Sequence, residues 1–508
     1  MRFLTLLIAA AICAPAQNLG EFEKKVTEFT LANGLHFIVV ERHDAPVVSF
    51  HTYVDAGSAD DPQGRTGLAH MFEHMAFKGT PVIGTRNWTA EKQALAVVET
   101  AYDRLRTERL KRNSDPARLK ALEAELDSAV EKANSFVIEN EYPRIIEENG
   151  GSGLNASTGE DATNYYYSLP SNRAELWFLL ESQRFLNPVF RQFYKERDVV
   201  REERRMRVES SPQGKLVESL LATAFAASPY RNPTAGWAAD IERLRVEDAR
   251  AFFEKYYVPR NMTIAIVGDI QPAEARRLAE RYFGRLRNAP LPLRDAEAEP
   301  QQWGEKRVAI ETPAQPFMAI AYKRPPQTDP DDPVFDVLSG ILASGRTGIL
   351  YKELVRDKRI ALTASSGATF PGGKHGNLFL FFLIPNSGHT LDEVEQATYG
   401  IIERLKNEKV DDAALERVKT KVRASVIRQL ASNTGLASQL TWYQANYGDW
   451  RKLFTGLKEI DAVTAEDVQR VARKYFTENT RTVAFTTQPG APAAQPGDSA
   501  TKPDGGLQ

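Results

Sequence analysis

The strongest constraint on the fold is an echo between the two halves of the chain. Phe37-Ile38-Val39-Val40-Glu41 and Pro46-Val47-Val48-Ser49-Phe50 read as two β-strands split by a polar turn. Val308-Ala309-Ile310-Glu311 and Pro316-Phe317-Met318-Ala319-Ile320 repeat the pair 270 residues later, Glu41 matching Glu311 and Pro46 matching Pro316. A second echo closes each half: Glu247-Asp248, Lys255-Tyr256-Tyr257 and the strand Thr263 to Val267 return as Glu466-Asp467, Lys474-Tyr475-Phe476 and Thr482 to Phe485, now at an offset of 219. The pattern implies a duplicated α/β domain whose first copy carries about 51 extra residues. The expected class is α+β, two homologous domains of mixed or antiparallel sheet packed with helices. The first domain spans 17–287 and the second 304–487. Between them, 288–303 is a linker interrupted by Pro290, Pro292 and Pro300.

The insertion falls at about 89–145. Leu95, Val98, Tyr102 and Leu105 keep helical spacing, as do Leu119, Leu122, Leu126 and Ala129. Between them, Asn113-Ser114-Asp115-Pro116 is a helix stop followed by an Asp cap with Pro at the first helical position. A helical hairpin follows from this. It either packs on its own domain or uses an exposed flank to gate substrate or dock a partner.

A chain of 508 residues, 42% hydrophobic, can bury a large core, and a net charge of -2 argues against a general nucleic-acid binder. Arg2, the apolar run Phe3 to Cys13 and Ala14-Pro15-Ala16 read as a signal peptide, 1–16, cleaved after Ala16. Cys13, the only cysteine, leaves with it, so no disulfide or catalytic thiol is expected. No later stretch is long and apolar enough for a membrane span. Residues 488–508, rich in Pro, Gly, Ala and Asp, read as a disordered tail.

Chemistry concentrates in Thr66 to Thr80, TGLAHMFEHMAFKGT, which places His70, Glu73 and His74 on one helical face. Two imidazoles one turn apart can hold one Zn²⁺, and the carboxylate beside them can deprotonate a metal-activated water. The plainer alternative is two histidines packed on a half-buried helix. This H-x-x-E-H order inverts H-E-x-x-H and defines an inverzincin type of site. A third ligand is sought in ERDVVREERRMRV, a helix over 196–208. Glu203 shares the stripe of Val199, Val200 and Met206, whereas Glu202 sides with Asp198 and Arg205, so Glu203 is expected to face inward. Glu196, two turns earlier on the same face, can reach the edge of the site. The plainer reading of both is ordinary ion pairing in an Arg-rich helix.

With HMFEHMAFKGT, the stretch GGSGLNASTGEDATNYYYSLP from Gly150 to Pro170, ERDVVREERRM, SPYRNPTAGW and the duplication, the chain resembles the pitrilysin, insulinase and mitochondrial processing peptidase family of zinc metallopeptidases, bacterial two-domain type. The resemblance implies two domains closing a clamshell chamber, one Zn²⁺ per chain on His70, His74 and Glu203, Glu73 as general base and Glu196 as an auxiliary glutamate. It also implies that Asn155, Ala156, Ser157 and Thr158 form an edge strand that pairs with the substrate backbone.

One departure stands out. Active members carry an Arg and a Tyr seven residues apart in a second domain, where they bind the substrate carbonyl. The matching segment, Leu354 to Ala364, puts Val355 and Leu362 there, and a one-residue shift pairs Arg356 with Thr363. The implied function is a zinc metalloendopeptidase acting on peptides or small unfolded polypeptides. It is completed by a homologous subunit that lacks the zinc site but carries the Arg/Tyr pair, or else works as a homodimer. The alternative to a partner is that a tyrosine of this chain, among Tyr165 to Tyr167, substitutes for the missing donor, and a catalytically silent binding or assembly subunit is the alternative function. His375 and His389 are expected at the surface, and the mature protein is expected to be secreted, in the periplasm.

Overall fold

The computed structural model describes residues 19–294 and 298–489, so the expected signal peptide and cleavage point, Cys13 and nearly all of the expected tail lie outside the described residues. Among the described residues no helix is long and apolar enough to cross a membrane. The strands are β1 (Val26–Thr30), β2 (His36–Glu41), β3 (Val47–Val54), β4 (Ser152–Thr158), β5 (Thr163–Pro170), β6 (Met262–Gly268), β7 (Lys306–Glu311), β8 (Met318–Arg324), β9 (Ala361–Phe370), β10 (Asn377–Pro385) and β11 (Arg481–Thr487). The helices that matter for the site and its support are α1 (Leu68–Met75), α2 (Trp88–Arg109), α3 (Pro116–Asn134), α4 (Phe193–Arg204), α5 (Pro212–Ala224), α6 (Asp332–Ala343), α7 (Asp412–Ala431) and α8 (Asn433–Tyr447).

One sheet runs β1-β2-β6-β3-β5-β4 and the other β7-β11-β8-β10-β9. Without β1 the two orders coincide. β2 is parallel to β6 as β7 is to β11. β3 is antiparallel to β6 and β5, as β8 is to β11 and β10. The echo in the sequence is therefore a repeated topology, two α/β domains with mixed sheets packed against helices.

Strand alternation gives each sheet two apolar faces. In the first sheet Phe37, Val39, Ile264 and Ile266 face their own half's core. Their neighbours Ile38, Val40, Ala265 and Val267 point the other way, onto Leu436, Leu440 and Trp450 from the second half. The second sheet mirrors this. Met318, Ile320 and Val483 face their own core, while Ala319, Ala321 and Ala484 meet Leu216, Leu220 and Ala224 of the first half. Each half thus lends one helix, α5 or α8, to the other's sheet. Polar contacts fix the α8 crossing: Thr441 Oγ1 lies 2.8 Å from His51 Nδ1, and Asn446 Nδ2 donates to the Tyr53 hydroxyl at 3.1 Å. Burial lowers the His51 imidazole to about 4.

The insertion is the hairpin α2–α3, with the Asp115 carboxylate accepting from Ala117 N–H and Pro116 opening α3. It packs on its own half. Val98, Tyr102 and Leu105 are buried, each contributing about 1.5–3 kcal/mol. Tyr102 stacks on Tyr194 at 4.2 Å, and the buried Arg191 guanidinium grips Glu91 at 2.7 Å.

The two histidines expected at the surface are both half-buried. His375 sits in the seam between the halves, where its backbone N–H donates to Tyr230 OH at 3.2 Å and the two rings meet edge-on at 5.3 Å. The Gly-containing stretch that suggested an exposed loop is a docking loop: Tyr230 also donates to Asp161, and Lys374 reaches Asp55 across the seam. His389 lies 3.2 Å from the Glu393 carboxylate at the start of the following helix.

Candidate metal centre

The H-x-x-E-H segment is helical because its first turn is capped from a distance. Gly67, at φ 86, turns the chain into α1, and the Asp61 carboxylate accepts the N–H groups of Gly67, Leu68 and Ala69 at 2.7, 3.2 and 2.8 Å. Leu68, Ala69, Met71, Phe72 and Met75 are buried, which orients His70, Glu73 and His74 toward α4 and β4.

His70, His74 and Glu203 bring one ligand atom each to within 4.8 Å of one another. Glu203 Oε2 lies 3.6 Å from His70 Nε2 and 3.5 Å from His74 Nε2. These separations are too long for hydrogen bonds. They match the edge of a tetrahedron, about 3.4 Å, for ligands bound to one zinc at 2.0–2.1 Å. The imidazoles are nearly perpendicular, 87°, with centroids 4.9 Å apart. Burial, reinforced by His74, holds His70 down at about 4, in the neutral form that ligates a metal. The donor set therefore fits Zn²⁺.

Around the donors, Thr158 Oγ1 donates to Glu73 Oε2 at 2.5 Å, leaving Oε1 free to face an incoming group. Burial pushes the Glu73 carboxyl up, with the Thr158 hydroxyl pulling back. Glu196 Oε2 lies 3.5 Å from His74 Nδ1, and its other oxygen takes a hydrogen bond from Lys78. Burial alone would raise Glu196, but His74 and Lys78 outweigh it and lower the carboxyl overall. Arg207, which the sequence reading left out, pairs with Glu203 Oε1 at 2.6 Å and so fixes that carboxylate.

Glu202 forms a two-pronged pair with Arg205 at 2.6 and 2.8 Å, away from the imidazoles. Glu203 faces the imidazoles, but not by sharing a buried apolar stripe. Val200 is buried, but Val199 is 45% and Met206 61% exposed, so the apolar stripe is no core face. The expected helix over 196–208 is also broken in phase, because α4 ends at Arg204 and widens into a π-turn over Arg205–Glu209.

Among the described residues β4 is the free edge of its sheet, paired only with β5. Asn155 and Ser157 are exposed, Ala156 is buried, and Thr158 ends the strand against Glu73. Glu73 and His74 open on a pocket of about 240 Å³ lined by Phe77 and Tyr142. Val355 lies in a π-turn over Tyr351–Asp357, packed on the second core, and Leu362 is 54% exposed at the start of β9. Neither side chain can donate a hydrogen bond. The tyrosines are poor substitutes: Tyr165 is buried with its hydroxyl 2.9 Å from that of Tyr257, Tyr167 is buried, and the Tyr166 ring stacks on His51.

The family described as Insulinase (Peptidase family M16) matches residues 37–102 and 131–237, and that described as Peptidase M16 inactive domain matches 243–422. The chain is 26% identical to "Zinc protease PqqE" of Helicobacter pylori over 94% of this chain and 96% of that one. It is 25% identical to "Probable mitochondrial-processing peptidase subunit beta" of Arabidopsis thaliana over 89% of this chain and 76% of that one. The crystal structure of a protease from Helicobacter pylori superposes with a TM-score of 0.75 at 25% identity, covering 91% of this chain and 99% of that one.

Proposed function

Because the chain belongs to the M16 family of insulinase and pitrilysin peptidases, as the two family matches show, we propose that it is a zinc metalloendopeptidase. The observation that carries the reading is the convergence of His70, His74 and Glu203 beside a free carboxylate oxygen of Glu73, at the end of an open sheet edge. Zinc held by those three residues would polarise a peptide carbonyl and acidify a water. Glu73 Oε1 takes the proton of the attacking water and returns it to the leaving amine, while Thr158 fixes the other oxygen. Glu196 orients His74 through Nδ1. The unpaired edge over Asn155, Ala156, Ser157 and Thr158 holds the substrate backbone as an added strand. The substrates in this reading are peptides and small extended polypeptides, met by a secreted, disulfide-free chain in the periplasm.

Val355 and Leu362 leave the developing oxyanion without a side-chain donor, and one such donor is worth roughly 3–4 kcal/mol. In this reading a homologous subunit bearing the Arg/Tyr pair closes over Glu73. The same absence favours a second reading, a silent binding subunit of the same fold. The test is to purify the chain, measure its zinc, and assay a quenched peptide alone and with the homologous subunit co-expressed. Zinc at one per chain, with turnover rising by about two to three orders of magnitude on adding the partner, supports the proposal. A zinc-loaded chain that never cleaves, with or without it, supports the silent subunit.

A further inference from the structure

Alongside the metal donors runs a groove of about 1060 Å³ between the hairpin insertion and α4. Leu105, Leu126 and Val130 of the hairpin line one wall; Val199, Glu203 and Met206 line the other. Val199 stands four residues before Glu203 on α4 and so neighbours its side chain, while Met206, in the π-turn that follows, lines the same groove. Single exposed apolar residues need no explanation. These two are 45% and 61% exposed, bracket a metal donor and face a second apolar wall. That second wall is an addition to the common frame, because the insulinase match skips residues 103–130, from which Leu105, Leu126 and Val130 all come.

We propose that this groove is a specificity subsite for a bulky apolar side chain of the peptide, on the flank of the scissile bond that leaves β4. The inference rests on the peptidase reading above. The link to substrate is Glu203, the donor residue that also lines the groove beside Asp198 and Glu202, so that a chain whose carbonyl reaches the donors can continue past Glu203 against Val199 and Met206. The hairpin then acts as a selecting wall, and its additional residues narrow the range of accepted peptides.

The test uses the zinc-loaded full chain, with its partner subunit if one is required, on denatured casein, with the cut sites read by mass spectrometry. Wild type is expected to show Leu, Phe or Met enriched at one fixed position beside the cut. The doubly substituted Val199→Ser, Met206→Ser variant is expected to lose that enrichment while keeping its zinc. Binding supplies a second readout. In a Glu73→Gln background, a labelled peptide carrying the preferred residue should bind about tenfold or more weakly once both serines are present, as expected for removing apolar contacts. A peptide with Ser at that position should bind equally to both forms. Unchanged enrichment and unchanged affinity would overturn the inference while leaving the peptidase reading intact. So would an altered assembly mass with unchanged enrichment, which would make the groove a subunit interface. Failure of wild type to cut or bind any peptide overturns both readings.

Discussion

Apart from β1 the two halves share a strand order, and the contrast in their chemistry lies at one helix pair. In the first, α1 lies along the edge strand β4, Thr158 reaches Glu73, and the seam between α1 and α4 holds His70, His74 and Glu203. In the second, α6 lies along the edge strand β9, and the corresponding polar contact is Ser339 with Ser366 at 3.3 Å. There α6 and α7 pack so closely that a Cβ at Gly340 would come within 2.4 Å of Val418. One seam is opened by imidazoles and carboxylates, the other closed by a glycine against a valine. The scaffold is indifferent to the chemistry, which is set by a few side chains where two helices meet.

The sharpest way to break this comparison is to exchange a polar contact in each half. Glu73→Gln is expected to keep its zinc and lose on the order of 10²–10⁴-fold in kcat. Ser339→Ala in the other half should leave kcat unchanged, and comparable losses from the two would mean the second seam also takes part. Next, the lent helices should matter equally. Leu220→Ala and Leu440→Ala, both fully buried under the opposite sheet, should each cost about 2–5 kcal/mol, measured by urea unfolding. A loss confined to one of them would show that the exchange is not reciprocal in energy.

A smaller effect is tied to pH. His51 under α8 has a folded-state value of about 4 against an ordinary 6.5, so the unfolded chain takes up the proton first. Its contribution is fully present above pH 6.5 and lost as pH falls toward 4, amounting to about 3 kcal/mol. The stability advantage of wild type over His51→Gln should shrink across that window, and an advantage constant from pH 7 to 4 would reject the assignment. The smallest effect is expected for Glu202→Ala. It removes an exposed, solvent-screened pair with Arg205 and should leave zinc content, by elemental analysis, as in wild type. Glu203→Ala should lose tight zinc binding.

Local signals carried well from sequence to structure. The strand echoes, the Asp115 cap with Pro116 and the helical face of the H-x-x-E-H segment depend on neighbours a few residues apart, and each formed where its residues are. The orientation of Glu203 was read from an apolar stripe that proves exposed at Val199 and Met206. A period argument assumes that an apolar face is a buried one, and it cannot see the π-turn that shifts the phase at Arg205. Long-range partners were the least legible. Nothing near His375 tells of Tyr230, and nothing near α5 or α8 tells that each covers the sheet of the other half. Their apolar faces would look the same on either side.

The reciprocal loan of helices also sets an order of events. The sheet of the half that holds the candidate metal donors is covered by residues from near the end of the chain, Thr441 meeting His51 across 390 positions. Until α8 is made, Ile38, Val40, Ala265 and Val267 present a bare apolar face, an invitation to aggregate. Contacts so distant in sequence form late and slowly. A chain cut short before Asn433 is left without the cover of that sheet, so support for the candidate centre in the first half depends on synthesis of the second.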